Sequence, residues 1–355
     1  LDAPRWRCDC GAILDIAFEP AFDRSEIAAR KPTIWRYREA LPIRDDANIV
    51  SLDQGFTPLV EVRVGGRTVW VKQDQLFSTG SYKDRGAAVL VSKVAELGIK
   101  RVVEDSSGNA GCAIAAYCAR ANIECTVYVP QDTSPAKVAQ IQMYGARLCR
   151  VPGTRQDTAD AVLRAAETTY YASHSWNPFF FHGTKTYAFE VCEQLGWRAP
   201  DAVVLPAGNG TLLLGASIGF GELLSAGIID RLPRLIAVQA GNCAPLWRAA
   251  HGEPPREAKP TIAEGIAIAQ PIRGTQIIEA VRASGGMFIA VSEDEIVNAL
   301  REVAAQGFYI EPTSAATIAG VKQYLRQANS NQHIVSVFTG HGLKATEKML
   351  KMADH

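Results

Sequence analysis

Four short segments of this 355-residue chain carry side chains in arrangements that could do chemistry. Ser78-Thr79-Gly80-Ser81-Tyr82-Lys83-Asp84-Arg85-Gly86 sets a lysine just after a Gly-Ser turn, where a helix opens. Asp84 falls in the first helical turn, where the dipole favours an anion. A lysine at such a junction can have its amine desolvated and become a nucleophile toward an aldehyde. Ser106-Ser107-Gly108-Asn109-Ala110-Gly111 holds Asn109, both donor and acceptor, in a glycine turn between strand and helix. In Pro206-Ala207-Gly208-Asn209-Gly210-Thr211 small residues let the backbone approach an anion at a helix N-terminus. Phe338-Thr339-Gly340-His341-Gly342-Leu343-Lys344 puts Thr339 at the carboxyl end of the last strand, where open α/β sheets bind ligands.

Taken singly, the first segment reads as a solvated helix end and the others as ordinary βα turns. Taken together they fit pyridoxal phosphate. Lys83 would make the Schiff base, and the loop Gly208, Asn209, Gly210 and Thr211 would hold the phosphate. Asn109 would bond the ring oxygen and Thr339 the pyridine nitrogen. A hydroxyl rather than a carboxylate at that nitrogen leaves it unprotonated and favours elimination or replacement over transamination.

The elements that must position these residues alternate. Strands are predicted at 69–73, 101–104, 125–129, 147–151, 202–205, 234–239 and 333–338. Helices are predicted at 84–97, 111–121, 135–144, 156–168, 211–225, 293–305 and 314–327. Such alternation implies parallel sheets covered by helices. The predicted fold is α/β, with two open parallel-sheet αβα domains and the cofactor in the interdomain cleft. The boundaries read as an N-terminal arm over 1–47, a large cofactor-binding domain over 48–81 and 186–355, and a small domain over 82–185.

Composition narrows the function. Lys plus Arg number 37 and Asp plus Glu 37, so no chain-wide basic surface for nucleic acid or anionic lipid exists. Hydrophobic residues at 47% and charged residues at 21% give enough apolar material for a buried core. The long charge-free run from Ala202 to Gly221 contains Pro206, Asn209 and five glycines, so it reads as buried core and not as a membrane span. No membrane partner is expected, and a cytoplasmic location is inferred. Of the eight cysteines, six sit among apolar neighbours as buried thiols do. Cys8 and Cys10 look like half of a zinc ribbon, too few ligands to close a structural site, so no metal is expected.

From Arg7 to Lys344 the chain resembles the threonine synthases, within the fold-type II pyridoxal phosphate enzymes. The resemblance rests on Ser51-Leu52-Asp53-Gln54-Gly55-Phe56-Thr57-Pro58-Leu59, the Lys83 segment, Asn177-Pro178 with Gly183-Thr184-Lys185-Thr186, Glu311-Pro312-Thr313-Ser314-Ala315-Ala316, and Thr339 to Lys344. It implies a lyase that converts O-phospho-L-homoserine and water to L-threonine and phosphate, with Lys83 as base, and a homodimer. Ser81, Ser107 and Ser175 become candidate contacts for the small amino-acid substrate, with Arg85 and Glu264 as weaker ones. The sequence departs from the family where an arginine usually follows Asn-Pro, since Phe179-Phe180-Phe181 stands there. Ala110 and Leu212 replace polar family residues, and Thr261 to Ala267 looks more like the threonine and serine dehydratases.

Three other readings follow. The same cofactor could serve β-elimination or β-replacement on serine, threonine or phosphoserine, as in a dehydratase or cysteate synthase. Gly215-Ala216-Ser217-Ile218-Gly219 matches the hydrolase elbow, which would make Ser217 a nucleophile, but Ser217 falls inside a predicted helix. A catalytically silent binding module would keep the fold without the chemistry.

Overall fold

The structure, a computed structural model, describes residues 3–353. In chain order the elements are α1 (Arg24–Ala29), β1 (Leu59–Val64), β2 (Arg67–Lys72), α2 (Lys83–Glu96), β3 (Arg101–Glu104), α3 (Asn109–Arg120), β4 (Glu124–Pro130), α4 (Pro135–Met143), β5 (Arg147–Val151), α5 (Arg155–Ala165), β6 (Tyr170–Tyr171) and α6 (Pro178–Thr184). There follow α7 (Thr186–Gln194), β7 (Ala202–Pro206), α8 (Thr211–Ser225), β8 (Arg234–Ala240), α9 (Pro245–Ala250), α10 (Gly274–Ala283), β9 (Met287–Val291), α11 (Glu293–Ala304), α12 (Pro312–Leu325), β10 (Ile334–Val337) and α13 (Thr346–Ala353).

The chain divides into two units. The first comprises the chain through Phe56 together with Phe77–Thr184. Its sheet runs β5-β4-β3-β6, all parallel. From β3 the chain steps outward through β4 to β5, then returns to add β6 on the other side of β3. The carboxyl ends of β3 and β6 therefore flank the switch point where open sheets bind ligands. The unit boundaries differ from the arm-plus-two-domain reading. The N-terminal residues pack into this unit because Trp6 sets its ring edge-on against Tyr171 and Trp176, at centroid distances of 5.0 and 5.7 Å. Val50 N–H also donates to Ser92 Oγ at 2.8 Å.

Helix α2 is buried along almost its whole length, from Asp84 to Val94, a wider apolar contact than its periodic residues alone required. Glycines explain how α6 comes so close to it. A Cβ at Gly86 would lie 2.3 Å from the Phe180 ring, and one at Gly183 would lie 2.1 Å from the Arg85 carbonyl oxygen. Gly86→Ala is therefore expected to destabilise by about 1–3 kcal/mol through overpacking. Urea unfolding checks this, and the increment from Gly86→Ala should shrink when measured in a Phe180→Ala background, where the ring it strikes is gone.

The second unit comprises Thr57–Leu76 and the chain from Lys185 onward. Its sheet runs β1-β2-β10-β7-β8-β9, parallel except for β1 against β2. Gly65 and Gly66, at φ +56° and +81°, turn the β1–β2 hairpin with the backbone twist such ribbons need. The last strand, β10, inserts between β2 and β7, so the switch point lies between β10 and β7. Every residue of β7 is buried, as are most of α8, which bears out the charge-free run as core. Among the described residues no helix is long and apolar enough to cross a membrane. Ser217 lies in the middle of α8 and not on a strand-to-helix turn, which removes the hydrolase reading.

Candidate cofactor and substrate site

In the first unit, Lys83 opens α2 and is half-buried. Its Nζ lies 4.7 Å from the Tyr82 ring centroid and 5.6 Å from that of Phe180. The next two residues overturn the solvated helix end. Asp84 and Arg85 are wholly buried. Asp84 accepts the Thr79 backbone N–H at 3.1 Å and the Thr79 hydroxyl, which folds the Gly80-Ser81 turn back onto the helix. The Arg85 guanidinium lies 5.0 Å from the Phe77 ring.

Other lysines are buried more deeply, and each faces a carboxylate. Lys72 pairs with Glu190, Lys93 with Glu96 and Lys185 with Glu222. Burial pushes the Lys185 amine down to about 8, with Glu222 holding back part of the fall. Even so, a wholly enclosed amine at 2.7 Å from a carboxylate has no room for an aldehyde. Lys83 differs in being partly open and ringed by aromatic faces.

Other residues of the first unit suit a polar ligand. Ser81 Oγ is buried without a hydrogen-bond partner. Asn109 is the first residue of α3, which follows directly from β3 through Ser106 to Gly108. Gly111 is needed there, since a Cβ would meet the Ser106 carbonyl oxygen at 1.8 Å. Ser107 is half-buried on the same loop, and Ser175 is buried beyond β6, with its N–H on Ser173 Oγ at 3.3 Å. Asn177 is fixed by Tyr170, whose hydroxyl accepts its amide at 2.7 Å.

At the same edge stands a group that sequence reasoning missed. Glu104, the last residue of β3, is wholly buried, and its Oε1 lies 2.9 Å from His174 Nδ1. Its Oε2 has no partner. Asp105 accepts the Tyr171 hydroxyl at 2.7 Å. Burial, reinforced by the Asp105 charge, pushes the Glu104 carboxyl well above the usual carboxylate range. Burial, with Lys83 and Arg155 adding to it, holds His174 well below the usual imidazole range. An acidic pair at the end of a buried parallel strand was the available signal.

In the second unit, the loop Gly208-Asn209-Gly210-Thr211 leads from β7 into α8. Gly210 caps the helix at φ +70°. A Cβ on Gly208 would fall 2.9 Å from Ile266 Cα, so only glycine lets the loop sit against that segment. The first turn of α8 holds no acidic residue, leaving its positive end uncompensated by its own side chains. This cradle fits a phosphate.

Beside it, Thr339 follows β10 and is wholly buried. Its hydroxyl donates to Glu311 Oε1 at 2.8 Å and lies 2.9 Å from Ser314 Oγ. Ser314 Oγ in turn accepts the Thr339 N–H at 2.7 Å. The Thr339 hydroxyl proton turns to the Glu311 carboxylate, a stronger acceptor than the Ser314 hydroxyl. Glu311 and Ser314 carried no role in the sequence reading. Gly340 makes room for them, since a Cβ there would meet the Glu311 carboxylate at 2.4 Å. Glu264 is exposed and paired with Lys348 at 2.9 Å.

Cys8 and Cys10 lie on a tight turn closed by Gly11 N–H to the Cys8 carbonyl at 2.9 Å. The Cys10 thiol is drawn below its ordinary value by hydrogen bonds from Ala12 and Cys8.

Set on this geometry, the comparisons are direct. Residues 50–340 match the family of pyridoxal-phosphate dependent enzymes. The chain belongs to that family, and its two parallel-sheet units are those of fold type II. A protein of Methanocaldococcus jannaschii named threonine synthase is 36% identical over 368 residues, covering 98% of this chain and 91% of that protein. One of Mycobacterium tuberculosis (strain H37Rv) with the same name is 37% identical over 328 residues, covering 90% of each. Among solved structures, processed threonine deaminase isoform 2 of Solanum lycopersicum superposes with TM-score 0.72 at 20% identity, covering 99% of this chain and 95% of that one. Serine racemase of Dictyostelium discoideum gives 0.71 at 24%, covering 88% and 99%.

Proposed function

We propose that this protein is a threonine synthase, a lyase that converts O-phospho-L-homoserine and water to L-threonine and phosphate. The observation that carries this reading is the near full-length similarity, 36% and 37% identity, to proteins bearing that name. Bound pyridoxal phosphate would supply an aldehyde to tether and a ring to take up the electron pair left at the α-carbon. Lys83 would hold it and then move the α-proton at Nζ. Backbone N–H groups of Gly208 to Thr211 would carry its phosphate, Asn109 its ring oxygen, and Thr339 with Glu311 its ring-nitrogen edge. Ser81, Ser107 and Ser175 would position the amino-acid substrate.

One observation favours a second reading. Phe179, Phe180 and Phe181 are buried where an arginine fork would hold a substrate phosphate. Elimination on serine or threonine needs no such cation. Phosphate release from O-phospho-L-homoserine, measured against keto-acid release from threonine and serine, separates the two. Threonine formed with stoichiometric phosphate is the expected result, and keto acid without phosphate release would overturn it. A cytoplasmic homodimer completes the reading, and light scattering checks the mass.

A further inference from the structure

The couple of Glu104 and His174 occupies the switch point of the first unit's sheet. Glu104 ends β3, His174 follows β6, and the two strands are parallel neighbours. Its place relative to the reacting centre follows from Phe180. That ring has Lys83 Nζ at 5.6 Å from its centroid and the His174 ring centre at 6.1 Å. The Lys83 charge is felt at both Glu104 and His174.

We propose that His174, its ring held by Glu104, donates the proton to the departing oxygen of the substrate bound at Lys83. This rests on the threonine synthase reading and names the group that serves where no cation follows Asn177-Pro178. A phosphate ester dianion that leaves without a proton departs as a trianion, a poor leaving group, and a positioned acid removes that barrier.

The proposed step takes both members of the couple as neutral. Burial favours the protonated Glu104 carboxyl and the unprotonated His174 ring. In that state Glu104 Oε1–H would donate to Nδ1, 2.9 Å away, and the ring proton would sit on Nε2. As the carbon–oxygen bond breaks, its electron pair goes to the phosphate oxygen. The Nε2 proton moves to that oxygen, the Glu104 proton moves to Nδ1, and Glu104 becomes a carboxylate. The pair that replaces the broken carbon–oxygen bond comes from the β-carbon, whose proton Lys83 takes and later returns to the γ-carbon. The water that adds its hydroxyl to the β-carbon gives up the proton that restores the couple, and the α-proton goes back to the α-carbon. The charged and titratable groups around it are Asp105, Tyr171, Lys83, Arg155, Cys118 and Cys125.

One ligand atom each from Glu104, Asp105 and His174 lie within 4.8 Å of one another, a spacing that could also hold a cation. The positive charges of Lys83 and Arg155 at His174 oppose that alternative.

Two measurements on the cofactor-loaded protein test the proposal. In nitrogen-15 spectra, His174 should show an unprotonated Nδ1 and a protonated Nε2 from about pH 6 to 8. In His174→Gln, phosphate release from O-phospho-L-homoserine should fall by about 10²- to 10⁴-fold. The α-proton exchange of L-norvaline, which has no departing group and reports Lys83 alone, should stay within about threefold. Glu104→Gln keeps a donor to Nδ1 but passes no proton, and should show the same split with a smaller loss. Parallel loss of both readouts, no loss of either, an imidazolium His174 near neutrality, or loss of phosphate release on chelation overturns the proposal. Wild-type protein that exchanges norvaline but releases no phosphate defeats the threonine synthase reading itself.

Discussion

Lys83→Ala is expected to erase the visible absorption of the lysine-bound cofactor and to lower turnover by at least about 10²- to 10⁴-fold, the range for loss of a positioned base. The argument is one of access. Lys72, Lys93 and Lys185 are wholly buried against carboxylates, whereas Lys83 is half-buried between the Tyr82 and Phe180 rings. Borohydride reduction followed by peptide mass mapping should find the added pyridoxyl group on the peptide containing Lys83 and on no other lysine. A band that survives in Lys83→Ala, or a pyridoxyl group on Lys185, would contradict the assignment. Because Lys83 sits at the first position of α2, the variant keeps the helix, and unfolding by urea should show native stability to within about 1 kcal/mol.

Glu190→Leu should have the largest effect on stability, a loss of about 3–5 kcal/mol. Both Lys72 and Glu190 are inaccessible to solvent, and their charged atoms are 2.7 Å apart. Lys72 Nζ also donates to the Thr57 carbonyl at 2.6 Å and to Gln194 Oε1 at 2.7 Å. Leucine removes the only full negative charge in that set and leaves an ammonium in a low-dielectric interior. The double variant Lys72→Met with Glu190→Leu should recover most of the loss, because a buried pair replaced by apolar groups of similar size is near neutral. Gln194 retains the Thr57 carbonyl at 3.0 Å in that variant. Equilibrium urea unfolding of the three proteins measures the difference, and equal loss in single and double variants would refute the account.

Much of this architecture was legible as alternation. The predicted strands at 101–104 and 147–151 and the helix at 211–225 match β3, β5 and α8 to the residue. Elements without a polar face were not legible. β6 has two residues, too few to show a period, and every residue of α6 is buried, so neither strand nor helix pattern appears. β1 was overlooked although Pro58 before it and Gly65-Gly66 after it bound an alternation of Val60, Val62 and Val64.

The site was legible in its loops and not in its pairs. Lys83, Asn109, Gly208 and Thr339 each stand beside glycines, which mark backbone that must turn or approach closely. Glu104 and His174 are far apart in sequence and meet only because β6 joins β3 after β4 and β5 have formed the other side. The same holds for Glu311 and Thr339. Glu264, a carboxylate beside glycines, lies in an exposed ion pair with Lys348, which its neighbours in sequence do not announce.

The strand order of the second unit also dictates when it can assemble during synthesis. Trp70 lies opposite Val335, so β2, paired early with β1, finds its parallel partner only after residue 337 has been made. Residues 77–184, with all four strands of the first unit, leave the ribosome well before β10 does. Until then the nascent chain presents two uncovered hydrogen-bonding rims, one on β2 and one on β7. Such rims invite intermolecular strand pairing and make acquisition of the native state slow, because the loop to be closed spans most of the polypeptide.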